Sequence, residues 1–134
     1  MRDYQRTKNN KYWLPKYKWQ ETLYYIRGYY EDQEEISAIL VESPAHEEGM
    51  PSGGGLSNEP QNKAERLEHL MQRVRIIERS LELVPPEYRK GVWDNIHKQA
   101  RYPDYADRRT YGRWKSRYVY AVAVASGKYE GKSK

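Results

Sequence analysis

The spacing of apolar residues is the feature that most restricts what this chain can fold into. From Lys63 to Val84, apolar side chains recur alternately three and four positions apart, which is the a/d pattern of a heptad. The positions that follow this pattern are Leu67, Leu70, Val74, Ile77, Leu81 and Val84. No stretch of useful length alternates apolar with polar residues, as a half-buried strand does. We therefore predict an all-α fold, a small helical domain with a C-terminal helix-turn-helix-like module.

The apolar pattern of the heptad helix is compatible with two structural roles. Its apolar stripe can pack within the chain's own core, or it can form the seam of a homodimer. Fewer than three heptads make a short coiled coil, so packing within the chain is the simpler interpretation. Both uses can coexist.

The N-terminal part of the chain is predicted to form a flexible basic arm, residues 1–14, and a helical pair, residues 15–42. Pro15 suits the start of a helix, because the N–H group that it lacks has no partner there. The predicted apolar stripe of the first helix consists of Trp19, Leu23, Ile26 and Tyr30. The second helix, residues 31–41, is acidic, and its predicted buried residues are Ile36, Ile39 and Leu40.

A linker is predicted over residues 43–62. This stretch contains three prolines and the three adjacent glycines Gly53 to Gly55. Adjacent glycines offer no side chains to pack and lose the most backbone entropy on ordering, so an ordered structure is unfavourable here.

The residues after the linker, 63–127, are predicted to form one helical module, followed by a tail, residues 128–134. Pro85-Pro86 ends the heptad helix and begins another helix that reaches Gln99. After a turn, Asp107 is the predicted N-cap of a last helix, and Gly127 is its predicted C-cap.

The composition excludes several classes of protein. The 134 residues include no cysteine, which excludes disulfides, Cys-ligated zinc and thiol chemistry. The longest uncharged apolar stretch, residues 118–126, is too short to cross a bilayer, and the N-terminus lacks the apolar core of a signal peptide. We expect a cytoplasmic protein with no membrane partner.

The sequence also favours a protein that is not an enzyme and has no cofactor or bound metal. The histidines, His46, His69 and His97, are far apart, and none forms the i, i+4 pair of a helical zinc site. The acidic cluster at residues 31–35 has the composition of an exposed helix end. No nucleophile has a base placed beside it by the sequence pattern.

Charge is strongly segregated along the chain. Residues 1–18 carry a net charge of +5, residues 19–60 a net charge of −8, and residues 61–134 a net charge of +8. A separation of this size creates a field that can steer a polyanion to one end of the protein. Ordinary solvated surface charge produces the same pattern. Whether the protein binds a polyanion must therefore be judged from the positions of its basic residues.

The last helix contains the densest basic cluster, with five Lys or Arg residues among residues 108–117 and no acidic residue. A helical wheel assigns one face to the core: Tyr111, Trp114, Tyr118, Ala121 and Ala125, with Val122 at the edge. The opposite face, predicted to be exposed, holds Arg109, Gly112, Arg113, Ser116 and Tyr120, and its flanks hold Arg108, Lys115 and Arg117.

Arginine forks match phosphate oxygens and guanine edges, so we predict a DNA-binding surface on this side of the helix. Its eight predicted residues are Arg108, Arg109, Thr110, Gly112, Arg113, Lys115, Ser116 and Arg117. Gly112 is an unusual choice within it, because glycine weakens a helix by about 1 kcal/mol relative to alanine. A close approach to another backbone would explain the glycine.

The chain resembles the small phage-encoded regulators of the RinA/ArpU type. The resemblance rests on the following segments: Tyr12-Trp13-Leu14-Pro15, the glycine patch Gly53-Gly54-Gly55 leading to Ser57-Asn58, the helix Ala64 to Val84, and Asp107-Arg108-Arg109-Thr110-Tyr111-Gly112-Arg113-Trp114. The last segment resembles a basic-Thr-Tyr-x-Arg-Trp recognition helix, in a domain similar to region 4 of sigma factors.

The resemblance implies a DNA-binding transcriptional regulator, typically of phage late genes, in the cytoplasm of a bacterial host. The recognition role then falls on Arg108, Arg109, Thr110, Arg113 and Lys115. Double-stranded DNA and a second copy of the chain are the expected partners.

One alternative is a phage assembly or packaging component, such as a small terminase-like ring. Another alternative is an adaptor that binds host RNA polymerase through the acidic residues 31–48. A dimer favours the regulator, and a larger closed ring favours packaging.

Overall fold

The computed structural model describes residues 11–49, 59–103 and 107–130, and the side chains of all of these except 42–49 and 59–61. In this part of the chain there are five helices and no strand: α1 (Lys16–Arg27), α2 (Tyr29–Gly49), α3 (Glu59–Leu81), α4 (Pro86–Lys98) and α5 (Arg108–Ala125). The predicted all-α class is confirmed for these residues. None of the described helices combines the length and the apolar character needed to span a bilayer.

The chain divides into two compact units. The first, called here the three-helix unit, consists of Met1–Gly28 and Ile76–Lys134, and α1, α4 and α5 contact one another within it. The second, called the acidic unit, is Tyr29–Arg75. The predicted pairing of α1 with α2 is therefore corrected, since α1 contacts α4 and α5.

The two units differ sharply in charge. The three-helix unit has 20 basic and 9 acidic residues, a net charge of +11. The acidic unit has 4 basic and 10 acidic residues, a net charge of −6. The segregation along the sequence is therefore also a segregation between units.

The core of the three-helix unit is built from apolar faces of its helices. Its buried apolar residues are Leu14, Trp19, Leu23, Tyr25, Ile26, Ile77, Val84, Val92, Ile96, Tyr111, Tyr118, Val119, Val122 and Ala123. The predicted stripe of α1 is confirmed except at Tyr30, which is 54 % exposed. Tyr30 does not extend the stripe because α1 ends at Arg27 and a new helix begins at Tyr29.

The start of α5 follows the sequence prediction, whereas its C-cap is Ser126 and the predicted C-cap, Gly127, is the next residue. Asp107 caps the helix, and its side chain accepts a hydrogen bond of 2.9 Å from the Arg109 backbone N–H. At the other end Gly127 adopts a positive φ of 81°. The Lys128 N–H donates to the Ala123 carbonyl at 2.9 Å, which completes the backbone pattern of a glycine-terminated helix.

The C-terminal ends of α1 and α4 are joined by reciprocal hydrogen bonds. Arg27 Nε donates to the Ile96 carbonyl at 2.7 Å, and His97 Nε2 lies 3.1 Å from the Ile26 carbonyl. The last carbonyls of a helix have no partner inside the helix, so each helix here supplies a side chain for the other's end. His97 therefore has a structural role at this helix end.

Stability should fall in mild acid because of His97. Its pKa lies below the ordinary value of 6.5, mainly because burial disfavours the charged ring and also because Arg27 is nearby, while the Trp93 and Ile26 carbonyls offset this only in part. Below about pH 6.5 the unfolded chain therefore binds the proton first, and the free energy of unfolding decreases. Urea unfolding between about pH 7.5 and about pH 5 should show this decrease, weakened in His97→Gln. His69→Gln, an exposed position on α3, is the control and should retain the wild-type pH dependence; equal slopes in all three proteins would contradict the assignment.

Several predicted boundaries need correction. The linker predicted over 43–62 is helical at both ends, because α2 continues to Gly49 and α3 already begins at Glu59. Its centre, residues 50–58, lies outside the described residues. The arm predicted over 1–14 is packed at its end, where Leu14 is fully buried, and residues 1–10 lie outside the described residues. The predicted tail, residues 128–134, contacts the unit through Lys128 and Tyr129, and residues 131–134 lie outside the described part.

The acidic unit contains ion pairs between α2 and α3. Arg73 Nε binds Asp32 Oδ2 at 2.9 Å, and Arg66 pairs with Glu35, so two ion pairs join α2 to α3. Among the side chains described in this unit, Leu70 is the buried apolar one, whereas Leu40, predicted to be buried, is exposed. Four further apolar residues of the unit are half-buried: Ile36, Ile39, Leu67 and Val74.

Candidate nucleic-acid interface

The buried face of α5 is rotated from the predicted one. Lys115 is only 4 % exposed and Ser116 only 2 % exposed, so their predicted place on the exposed face and its flank is wrong. Val119 and Ala123 are also buried, whereas Trp114 and Ala121 are half-buried and Ala125 is exposed. The predicted core residues Tyr111, Tyr118 and Val122 are buried, so the predicted and observed buried faces overlap in part.

Lys115 is buried because its ammonium group has polar and aromatic neighbours in the core. Its Nζ donates to Asn95 Oδ1 at 2.7 Å and lies 5.8 Å from the centre of the Trp19 ring. Asn95 in turn donates from Nδ2 to the Ala100 carbonyl at 2.9 Å. These contacts join α5, α4 and α1. Lys115 is therefore part of the core and is no longer one of the proposed DNA-binding residues.

The remaining basic residues of α5 form an exposed row. Arg109 and Arg113 are exposed and Arg117 is half-buried, and their four-residue spacing places them on one side of the helix. The row extends over nine residues, about 12 Å of helix. Arg108 is exposed beside it, and Thr110 and Gly112 are half-buried. Six of the eight predicted DNA-binding residues therefore reach the surface.

Gly112 has no neighbour that would exclude a side chain. A Cβ atom built there meets no atom within 4 Å. The close backbone approach that the sequence suggested for this glycine is thus not made within the described residues of the chain.

Tyrosine rings fix the first half of α5 against α4. Tyr111 lies edge-on to Tyr88, with ring centres 5.0 Å apart, and stacks on Tyr102 at 4.7 Å. Gly91 makes room for the Tyr111 ring: a Cβ at Gly91 would overlap Cε1 and lie 3.1 Å from Cδ1 and Cζ. This packing sets the position of the arginine row, which begins on the same turn of helix.

A cluster of aromatic and basic residues borders the arginine row and was missed by the sequence analysis. The Arg117 guanidinium lies 5.6 Å from the Tyr12 ring centre and 5.7 Å from the Trp114 ring centre. Tyr12 also meets Tyr120 edge-on at 5.5 Å, and Lys11 Nζ lies 5.4 Å from the Tyr12 ring. The sequence feature that could have indicated this cluster is Tyr12-Trp13 beside a basic residue. Nothing in the sequence, however, indicates that Tyr12 contacts α5.

Other candidate sites offer less chemistry. No group of three or more His, Asp or Glu side chains in the described residues could hold a metal ion. Within the acidic cluster of α2, Asp32 and Glu35 are engaged by arginines, and Glu31 and Glu34 are exposed. Of the tyrosines on the first two helices, Tyr25 is buried, whereas Tyr17, Tyr24 and Tyr30 are exposed. Among the described residues, α5 presents three exposed arginines, Arg108, Arg109 and Arg113, which are groups suited to an anion.

Comparison of the chain with protein-family models, with curated proteins and with solved structures finds no match.

Proposed function

We propose that the protein binds double-stranded DNA through the exposed arginine row of α5 and regulates transcription. The observation that carries this proposal is the alignment of Arg109, Arg113 and Arg117 along one side of a helix in a unit of net charge +11. Arginine binds phosphate oxygens in bidentate geometry and also reads guanine edges in the major groove.

The dimensions of the row suit a duplex. Its length of about 12 Å corresponds to three to four base steps at ~3.4 Å each. An α-helix fits the major groove of B-form DNA, so side chains on one helical face can contact phosphates and bases together. Phosphate contacts would supply most of the affinity, and any base preference would come from the exposed residues nearest the groove floor.

The regulatory role rests on the resemblance of the segment from Asp107 to Trp114 to the recognition helix of phage late-gene regulators. The succession of α4 and α5 along the chain is compatible with a helix-turn-helix-like reader, in which α5 would be the reading helix. On this proposal the protein acts in the cytoplasm of a bacterial host.

A homodimer is part of the proposal, because dimeric readers contact two half-sites. The apolar stripe of α3 supports it in part. Ile77 and Val84 are fully buried within the chain, although Val84 lies beyond the end of the helix, whereas Leu67, Val74 and Leu81 are half-buried and retain surface that a second copy can cover. Sedimentation analysis distinguishes a dimer from the larger ring expected of a packaging component.

The test of DNA binding is a salt titration with a mixed-sequence duplex. We expect a steep linear fall of log affinity with log salt concentration for the wild type. In the double variant Arg109→Ala/Arg113→Ala the slope should become shallower by about two, because each lost phosphate contact removes about 0.9 from it. Fluorescence anisotropy of a labelled duplex measures both slopes.

The matched control is Lys16→Ala/Lys90→Ala, which removes the same charge from exposed positions on α1 and α4 of the same unit. It should reduce the salt slope much less than the arginine variant. Absence of binding at low salt would reject the DNA proposal. Equal losses in the two double variants would reject the assignment of the interface to α5.

A further inference from the structure

Arg117 differs from the other arginines of the row in having aromatic neighbours from two parts of the chain. Trp114 lies one turn before it on α5, and Tyr12 precedes α1 by four residues. Both ring centres are within 6 Å of the guanidinium, the range in which a cation is attracted by the face of an aromatic ring. Arg109 and Arg113 are exposed, whereas Arg117 is half-buried.

The rings are themselves held in place. Tyr12 meets Tyr120 edge-on, and Tyr120 meets Tyr129 edge-on at 5.9 Å. Leu14, two residues after Tyr12, is fully buried, which anchors the backbone on the C-terminal side of Tyr12. The aromatic cluster therefore restricts the Arg117 side chain.

We infer that Tyr12 and Trp114 are positioning residues that pre-orient Arg117 for a phosphate oxygen of the nucleic-acid backbone; this rests on the proposed function. Ordering a long side chain opposes binding by its lost rotamer entropy, and a side chain ordered in advance avoids that loss. Arginine is suited to this arrangement because its planar guanidinium can stack on aromatic rings and still donate hydrogen bonds in its own plane. The residues just before α1 thus belong to the same binding surface as α5.

The experiment is a double-mutant cycle on duplex binding, with Tyr12→Ala, Arg117→Gln and the combination. We expect Tyr12→Ala to weaken binding roughly three- to tenfold, the range expected when one rotamer-rich side chain loses its pre-orientation. Arg117→Gln should make the salt slope shallower by about 0.9. In the absence of Arg117, Tyr12→Ala should have no further effect, because its influence passes through the guanidinium.

Two further variants separate positioning from folding. Tyr12→Phe keeps the aromatic face and should bind like the wild type. Tyr17→Ala removes a tyrosine that is 80 % exposed on α1 of the same unit, and it should also bind like the wild type. Thermal unfolding of each variant shows whether the fold is retained.

The outcomes distinguish this inference from the proposed function. If the wild type does not bind duplex DNA, the proposed function fails first. If it binds, but the effects of Tyr12→Ala and Arg117→Gln simply add in the double variant, the positioning role of Tyr12 is overturned. A loss of affinity in Tyr12→Phe as large as in Tyr12→Ala would overturn it as well, because the ring would then not be the active part.

Discussion

Replacing Gly91 with alanine should destabilise the protein by about 2 kcal/mol, although alanine favours a helix more than glycine does. The added methyl group would overlap the Tyr111 ring, which cannot move aside easily because Tyr88 and Tyr102 pack against it. Overpacking of this kind usually reduces stability by about 1–3 kcal/mol. Urea unfolding monitored by circular dichroism measures the difference as a shift of the midpoint.

Gly112→Ala is the matched control, since it makes the same change at a helical glycine where no atom lies within 4 Å. It should increase stability by about 0.5–1 kcal/mol, the ordinary helix preference of alanine. A stability loss of similar size in both variants would contradict the tight contact between Gly91 and Tyr111. If DNA approaches the helix closely at Gly112, the same variant should bind duplex DNA more weakly despite its greater stability.

Lys115→Ala should reduce stability by about 2 kcal/mol while leaving the salt dependence of DNA binding unchanged. The substitution removes the donor to Asn95 Oδ1 and leaves that buried oxygen without its 2.7 Å partner. Losing a hydrogen bond between a charged and a neutral group inside a core has an effect of about 1.5–3 kcal/mol. Urea unfolding and the duplex salt titration, made on the same preparation, measure the two quantities.

Arg113→Ala provides the opposite case for comparison. Because Arg113 is exposed, its removal should change stability by no more than about 0.5 kcal/mol. The salt slope for duplex binding should become shallower by about 0.9. A shallower slope in Lys115→Ala of the same size would return Lys115 to the binding surface and contradict its place in the core.

Local chemistry explains why the ends of the helices could be predicted. Asp107 supplies an oxygen for a free N–H group, and Gly127 adopts a positive φ without a Cβ penalty, so each signal acts on its own neighbours. Proline was less informative. Pro44 lies inside α2, although the helix was predicted to end before it. A proline removes one helical hydrogen bond but does not prevent helix formation on either side of it.

The buried face of α5 could not be predicted from α5 alone. A helical wheel sorts residues by hydrophobicity, which sends Lys115 outwards and Trp114 inwards. The actual choice depends on Asn95, which is 20 residues earlier and provides the acceptor for the ammonium group. The contact between Tyr12 and Arg117 could not be predicted for the same reason. It depends on how distant parts of the chain pack, and no local sequence pattern indicates it.

The reciprocal hydrogen bonds between α1 and α4 also bear on how the chain is made. They join residues 69 and 71 positions apart, and α1 further requires α5, which is synthesised after both α1 and α4. Until α5 has been synthesised, Trp19, Leu23 and Ile26 have no complete core to enter, so they remain uncovered in the nascent chain. A chain that terminates before Tyr111 would keep that apolar surface permanently, and we expect such truncated chains to aggregate or be degraded rather than to retain a partial function.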